Sequence, residues 1–325
     1  MDGLGALALT NLTAPMVLFF ALGFGASLAR SDLSVPEALA KSMSLYLMLA
    51  IGFKGGVALR EAGLDTHTLT ALGAGIVLSF TLPLLAFGLL RLTTALERID
   101  AAAVAAHYGS ISVVTFVAAA SFLQVAEVDY SGSMVAVTAA METPAIITGL
   151  WLARRGSGPR SASIDRALVR EIFLNGSVVL LLGSFGVGLI SGPYGDEMVA
   201  PFVRAPFKGV LCLFLLDMGI TAARRLRGSG ALKAPVIGFG LYMPLIGGSL
   251  AVLMGHGLGL PTGDAVLLGV LGGSASYIAV PAALRLALPE ASPAISLSLS
   301  LGVTFPLNLV LGIPYYFALA QTLAG

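Results

Sequence analysis

The sequence predicts an all-α integral membrane protein of ten transmembrane helices in two inverted five-helix repeats, with helices 4 and 9 discontinuous. Three observations lead there. The 325 residues are 57% hydrophobic and 11% charged, with mean hydropathy +0.94, whereas a soluble domain carries about 25% charged residues. Ten apolar stretches approach the roughly 20 residues that a membrane span requires. A polar motif inside the fourth stretch recurs, in register, inside the ninth.

The predicted spans are 12–29, 37–59, 68–91, 99–123, 131–153, 171–191, 198–223, 234–256, 264–288 and 294–323. Their connections are short except for the polar, basic stretch 154–170, which divides the chain into repeats at 1–160 and 161–325. Gly23 and Gly25 fall 163 residues before Gly186 and Gly188, and Gly56-Val57 falls 163 before Gly219-Ile220. An odd number of spans per repeat inserts the second copy upside down.

Lysine and arginine set the orientation. One face carries Arg30, Arg91, Arg98, Arg154, Arg155, Arg160, Arg166, Arg170, Arg224, Arg225, Arg227, Lys233 and Arg285. The loops of the other carry Arg60 with acids such as Glu127, Asp129, Asp196 and Glu197, and Arg204 and Lys208 lie toward that end of span 7. The positive-inside rule makes the first face cytoplasmic and puts both termini outside. Trp151 before Arg154 reads as an interfacial anchor. Met1-Asp2-Gly3 lacks a basic region, so no cleaved signal peptide is expected. Net charge +1 offers no footprint for nucleic acid, and lone Cys212, inside an apolar run, reads as a core residue.

The repeated motif is the candidate site. Asp100 to Ser112 reads DAAAVAAHYGSIS and Asp264 to Ser276 reads DAVLLGVLGGSAS. In hydrocarbon a helix break survives only inside protein or beside a cavity, and paired interruptions in two halves point to a transporter's binding site. A break leaves N–H groups at the start of a half-helix, which favour an anion. Gly109, Ser110, Ser112, Gly273, Ser274 and Ser276 are the candidate substrate-binding residues: serine supplies hydroxyl donors, and glycine lets the backbone approach. Glu142, deep in span 5 beside Thr143-Pro144, suits a coupling cation or proton, with Thr304-Phe305-Pro306 and Asn308 as its neutral counterpart. Lys54 and Asp217, 163 apart, are a candidate pair between spans 2 and 7. His107 reads as a hydrogen-bonded packing residue. Zinc-ligand spacing, a P-loop and a nucleophile elbow are all missing from the sequence, so neither an enzyme nor a cofactor is expected.

These residues carry a resemblance. GFKGGVALR at 52–60, METPA at 141–145, FKGVL at 207–211 followed by Met218-Gly219, and the serine-rich break with its later prolines at 274–289 resemble the sodium-dependent bicarbonate transporter family, nearly end to end. The resemblance implies gate helices 1, 2, 6 and 7, core helices 3–5 and 8–10, and a homotrimer in the bacterial plasma membrane. It further implies Na⁺-coupled import of bicarbonate or a related small anion by alternating access, with Ser110, Ser112, Ser274 and Ser276 on the anion side. On the ion-coupling side stand Thr115, Glu142, Thr143, Tyr277, Thr304 and Asn308. It also implies a PII-like regulator acting from the cytoplasm. Tyr277 stands where the cyanobacterial pattern has an aspartate, so this chain is similar to members outside that group. A cation/proton antiporter or organic-anion symporter of similar ten-span inverted design is the first alternative; an anion channel, or a membrane sensor, without coupled transport is the second, and the lack of a sizeable soluble domain argues against the sensor.

Overall fold

The computed structural model describes residues 13–63, 66–154, 176–228 and 232–325. Arg155, Arg160, Arg166 and Arg170, the expected repeat boundary and the starts of spans 1 and 6 lie outside these residues.

Every regular element among the described residues is helical: α1 (Pro15–Leu28), α2 (Glu37–Ala62), α3 (Thr66–Thr93), α4 (Arg98–Gly109), α5 (Val113–Val125), α6 (Met134–Ala140), α7 (Glu142–Arg154), α8 (Gly176–Val203), α9 (Phe207–Gly228), α10 (Ala234–Gly257), α11 (Thr262–Gly273), α12 (Ala279–Ala287), α13 (Pro293–Leu299) and α14 (Ile313–Ala324). Between α13 and α14 the backbone is underwound, with π-helical stretches at Ser300–Thr304 and Asn308–Gly312 flanking the α-helical Phe305–Leu307.

Among the described residues, six helical segments are long and apolar enough to cross a membrane, or seven if the bent pair Leu182–Val203 and Phe207–Arg227 is one span. The predicted ten exceeds this number for local reasons. The described part of span 1 is the 14-residue α1, and span 9 is split into α11 and α12. Span 7 begins at Phe207 rather than residue 198. Gly192, at φ 60° and ψ −153°, ends one helical run within α8, the chain turns again at Arg204–Pro206, and residues 193–203 form a separate short helix.

Burial sorts the helices. The window in Arg98–Val125 is 89% buried, that in Thr66–Thr93 39%, so α4–α5 form the interior and α3 the rim. Leu69, Val77, Phe80 and Leu84 on α3 and Leu241, Leu250 and Leu253 on α10 are exposed, as lipid-facing positions are. α8 packs along α2, and α9 along α1. The contacts are backbone on backbone: a Cβ on Gly56 would stand 1.9 Å from the Phe185 carbonyl oxygen, and one on Gly219 2.1 Å from that of Phe20. Small residues permit such close crossings where lipid gives no hydrophobic drive to association.

Candidate binding site at the paired helix breaks

Both predicted interruptions are present. α4 ends at Gly109, Ser110 turns extended at φ −87° and ψ 177°, and α5 restarts at Val113. α11 ends at Gly273, Ser274 takes φ −89° and ψ 166°, and α12 starts at Ala279. A glycine followed by serines, whose hydroxyls compete for backbone groups, gives the local sequence this alternative to helix.

The two breaks touch. The Ser112 N–H donates to Ser274 Oγ at 3.0 Å, and the Ser276 N–H donates to the His107 carbonyl at 2.8 Å. His107 Nδ1 lies 2.5 Å from the Ser276 carbonyl oxygen; a carbonyl only accepts, so Nδ1 carries the proton. His107 is thus a packing residue that joins the breaks, as its sequence position suggested. Ser112 Oγ in turn accepts the N–H (3.2 Å) and hydroxyl (2.9 Å) of Thr115, capping α5. Cap bonds of this kind contribute about 1 kcal/mol each.

A small cavity of about 10 Å³ lies between the breaks, lined by Ser112, Glu142, Ser276 and Tyr277 with Met48 and Ile111 among others. That space suits about one water-sized occupant. Glu142 is 6% exposed, and its Oε2 has no hydrogen-bond partner among the described residues. Its position at the first residue of α7 follows from a third interruption: α6 stops at Ala140, and Ser79 on α3 holds the gap by donating to the Met141 carbonyl while accepting the Ala145 N–H at 3.1 Å. Pro144 signals this break in the sequence, but nothing there names Ser79.

The other predicted site residues are placed differently. Ser110 is fully buried, its hydroxyl without a partner among the described residues and outside the cavity lining. Gly109 and Gly273 have packing reasons for being glycine, since a Cβ would stand 2.1 Å from the Pro83 ring or 2.2 Å from the Tyr316 hydroxyl. Asn308 Nδ2 donates to the Gly273 carbonyl at 2.7 Å, and its Oδ1 accepts from Tyr316 at 3.0 Å. Thr304 donates to the Gly240 carbonyl at 2.9 Å and lies 2.5 Å from the Tyr108 hydroxyl. Thr143 is half-buried, beside Glu142 and outside the lining. The breaks and Glu142 come together; Thr304 and Asn308 brace them from behind.

Lys54 and Asp217 form no ion pair. Spans 2 and 7 do pack, but the Lys54 ammonium sits 4.7 Å over the Phe207 ring. Asp217 lies ten residues further along α9, about 15 Å away at 1.5 Å per residue.

A larger cavity of about 670 Å³ opens beside α2, α5 and α6 at the Arg60 end of the helices. Its wall includes Ile51 and Phe116, each three residues from Met48 and Val113 of the small cavity. Three residues of helix span about 4.5 Å, so one turn of each helix separates the two spaces.

Compared with known families, the chain matches the model of the Na⁺-dependent bicarbonate transporter superfamily over residues 15–321. The chain belongs to that superfamily. The match covers both helix breaks, Glu142 and both cavities, so the paired-break core is a feature of a transporter-family chain with several membrane-spanning helices. The family's name supports sodium and bicarbonate as the chemistry to test. No curated protein matches the chain.

Proposed function

We propose that the protein imports bicarbonate or a related small anion, coupled to Na⁺, by alternating access around the paired helix breaks. The observation that carries this reading is the convergence of both breaks and the unpartnered Glu142 carboxylate on one small cavity. The first N–H groups of α5 have no carbonyl one turn earlier within their helix, and with the Ser112 and Ser276 hydroxyls they favour an oxyanion. A buried carboxylate costs several kcal/mol unless a cation or proton meets it, which makes Glu142 the coupling group. Tyr277 adds a hydroxyl and no charge, so among the described residues Glu142 is the one carboxylate lining this cavity.

Ten spans in two inverted repeats are part of this proposal, with helices 1, 2, 6 and 7 as the gate and helices 3–5 and 8–10 as the core. Two reciprocal features support it: the glycine crossings of α2 with α8 and of α1 with α9, and the exchange of anchors described in the Discussion. Two ties are consistent with the expected cytoplasmic face. Arg227 donates to Ser27 Oγ at 3.1 Å, close to Arg30, and Arg98 donates to the Leu152 carbonyl at 3.1 Å, close to Arg154. The plasma-membrane location with both termini outside, the homotrimer and the PII-like regulator belong to the same proposal.

The test is uptake of labelled bicarbonate into proteoliposomes with and without an inward Na⁺ gradient. Accumulation driven by Na⁺ is the expected result. Accumulation driven by a proton gradient alone would move Glu142 to proton coupling, and uptake that stops at electrochemical equilibrium would make the protein a channel. The absence of uptake by folded protein would overturn bicarbonate as cargo.

A further inference from the structure

The larger cavity contains a charge that the helix-break site does not use. Lys54 lines it, half-buried in the wall, with its ammonium 4.7 Å over the face of Phe207. Two cations, Arg204 and Lys208, act on it electrostatically. Arg204 is neutralised by Asp196, the single ion pair among the described residues. Three other carboxylates line the cavity, those of Glu61, Glu127 and Asp129, and all three are exposed at its mouth. Charges in open solvent are screened within about 10 Å at ordinary ionic strength, whereas a charge in a low-dielectric wall projects its field into the cleft. The Ser121 hydroxyl, buried and without a partner, belongs to the same wall.

We propose that the floor of this vestibule is a second anion site, with Lys54 as the capturing charge. Its ligand is a small, singly charged oxyanion, held loosely by the ammonium over Phe207 and passed across one helical turn to the cavity between the breaks. Lys54 recruits the anion before the site closes. Aromatic support suits this role, since the Phe207 face holds the cation in place without neutralising it as a carboxylate would. The proposal rests on the reading of an anionic cargo, and its test is chosen to be independent of transport.

Ala58, one turn above Lys54 on α2, is half-buried in the same wall. In full-length protein carrying Cys212→Ser, Ala58→Cys gives one thiol whose reaction rates with an anionic sulfonatoethyl and a cationic trimethylammonioethyl methanethiosulfonate are compared. Lys54→Met is expected to lower the anionic-to-cationic rate ratio about tenfold, while Lys54→Arg keeps it. Raised ionic strength is expected to collapse the ratio in the Lys54 protein, a readout that needs no folded Lys54→Met. A ratio unchanged by both the substitution and salt would overturn the site. In proteoliposomes Lys54→Met is expected to raise KM for bicarbonate about tenfold with kcat within twofold. No bicarbonate uptake by the unsubstituted protein would count against the transport reading alone, because the rate ratio tests the vestibule directly.

Discussion

The Asp264 carboxylate accepts the backbone N–H of Ser131 at 2.6 Å. Asp100 does the reciprocal, accepting the N–H of Ser292 at 2.8 Å. Asp100 and Asp264 lie in the first turns of α4 and α11, and Ser131 and Ser292 precede α6 and α13. Each half of the chain thus ties its interrupted helix to the last span of the other half, so the two breaks are located by two long-range anchors. Hydrogen bonds to a charged group contribute about 1.5–3 kcal/mol. Asp264→Ala is expected to cost about 2 kcal/mol, visible as a lowered melting midpoint of the purified protein. Asp264→Asn, which keeps an accepting oxygen, should recover part of it; an unchanged midpoint in Asp264→Ala would show that the bond contributes nothing.

Glu142 is expected to couple stability to Na⁺. A ligand that binds only the folded state stabilises it by about 2.7 kcal/mol at a hundred times its Kd. Melting midpoints should therefore rise with NaCl and not with choline chloride. Glu142→Gln should abolish that response and should melt higher than the unsubstituted protein in Na⁺-free buffer, because it removes an uncompensated buried charge. A Na⁺ response that survives the substitution would move the ion elsewhere.

The serines of the break can be tested without overfilling a closed core. Ser112→Ala removes the acceptor that caps Thr115 and a hydroxyl facing the cavity, and Ser276→Ala removes the second such hydroxyl. Each is expected to raise KM for bicarbonate by about five- to tenfold, the equivalent of about one neutral hydrogen bond. Ser121→Ala, in the vestibule wall, should have a smaller effect.

The glycine crossings give a sharper stability contrast. Gly23, Gly56, Gly188 and Gly219 each face a carbonyl oxygen that an added Cβ would meet at about 2 Å. Gly→Ala at any of them is expected to destabilise by about 1–3 kcal/mol through overpacking. Gly25 and Gly186 have nothing within 4 Å of such a Cβ, so alanine there should be neutral or stabilising by up to about 1 kcal/mol. Thermal unfolding of the six variants distinguishes the two groups.

That contrast also marks how far the sequence could be read. The Gly-x-Gly pairs at 23–25 and 186–188 were visible as an internal echo, but alignment by equal spacing matches Gly23 with Gly186, whereas the packed glycines are Gly23 and Gly188. A period of 163 fixes which helices correspond and not which side of a helix faces its neighbour, because two residues on a helix differ by about 200° around the axis. The helix breaks were legible because Gly-Ser-x-Ser recurs in register in two apolar runs; one copy alone reads equally well as a tight helix crossing. The bracing by Thr304 and Asn308 was not, since a polar residue beside a proline reads equally as a ligand or as a partner for a freed carbonyl. Nor could equivalence of Lys54 and Asp217 imply contact: related positions in two repeats need not lie on the axis that relates them. The anchors at Ser131 and Ser292 were hidden for a further reason, since a serine before an apolar run does not indicate which distant carboxylate it will find.

The single helical turn between the vestibule and the small cavity that Glu142 lines has an electrical consequence. With the proposed orientation and with Glu142 as the proposed coupling group, a water-filled vestibule would carry the potential of the outside solution almost to the small cavity, and the membrane voltage would fall mainly between Glu142 and the opposite face. A cation arriving through the vestibule then crosses little of the field. Its passage inward from Glu142 crosses most of it, collecting nearly the whole of about 2.3 kcal/mol per charge for each 100 mV. The anion carried with it crosses the same field with the opposite sign, so in the proposed symport voltage would drive delivery only by the excess of cations over anions carried, while leaving capture from outside almost untouched.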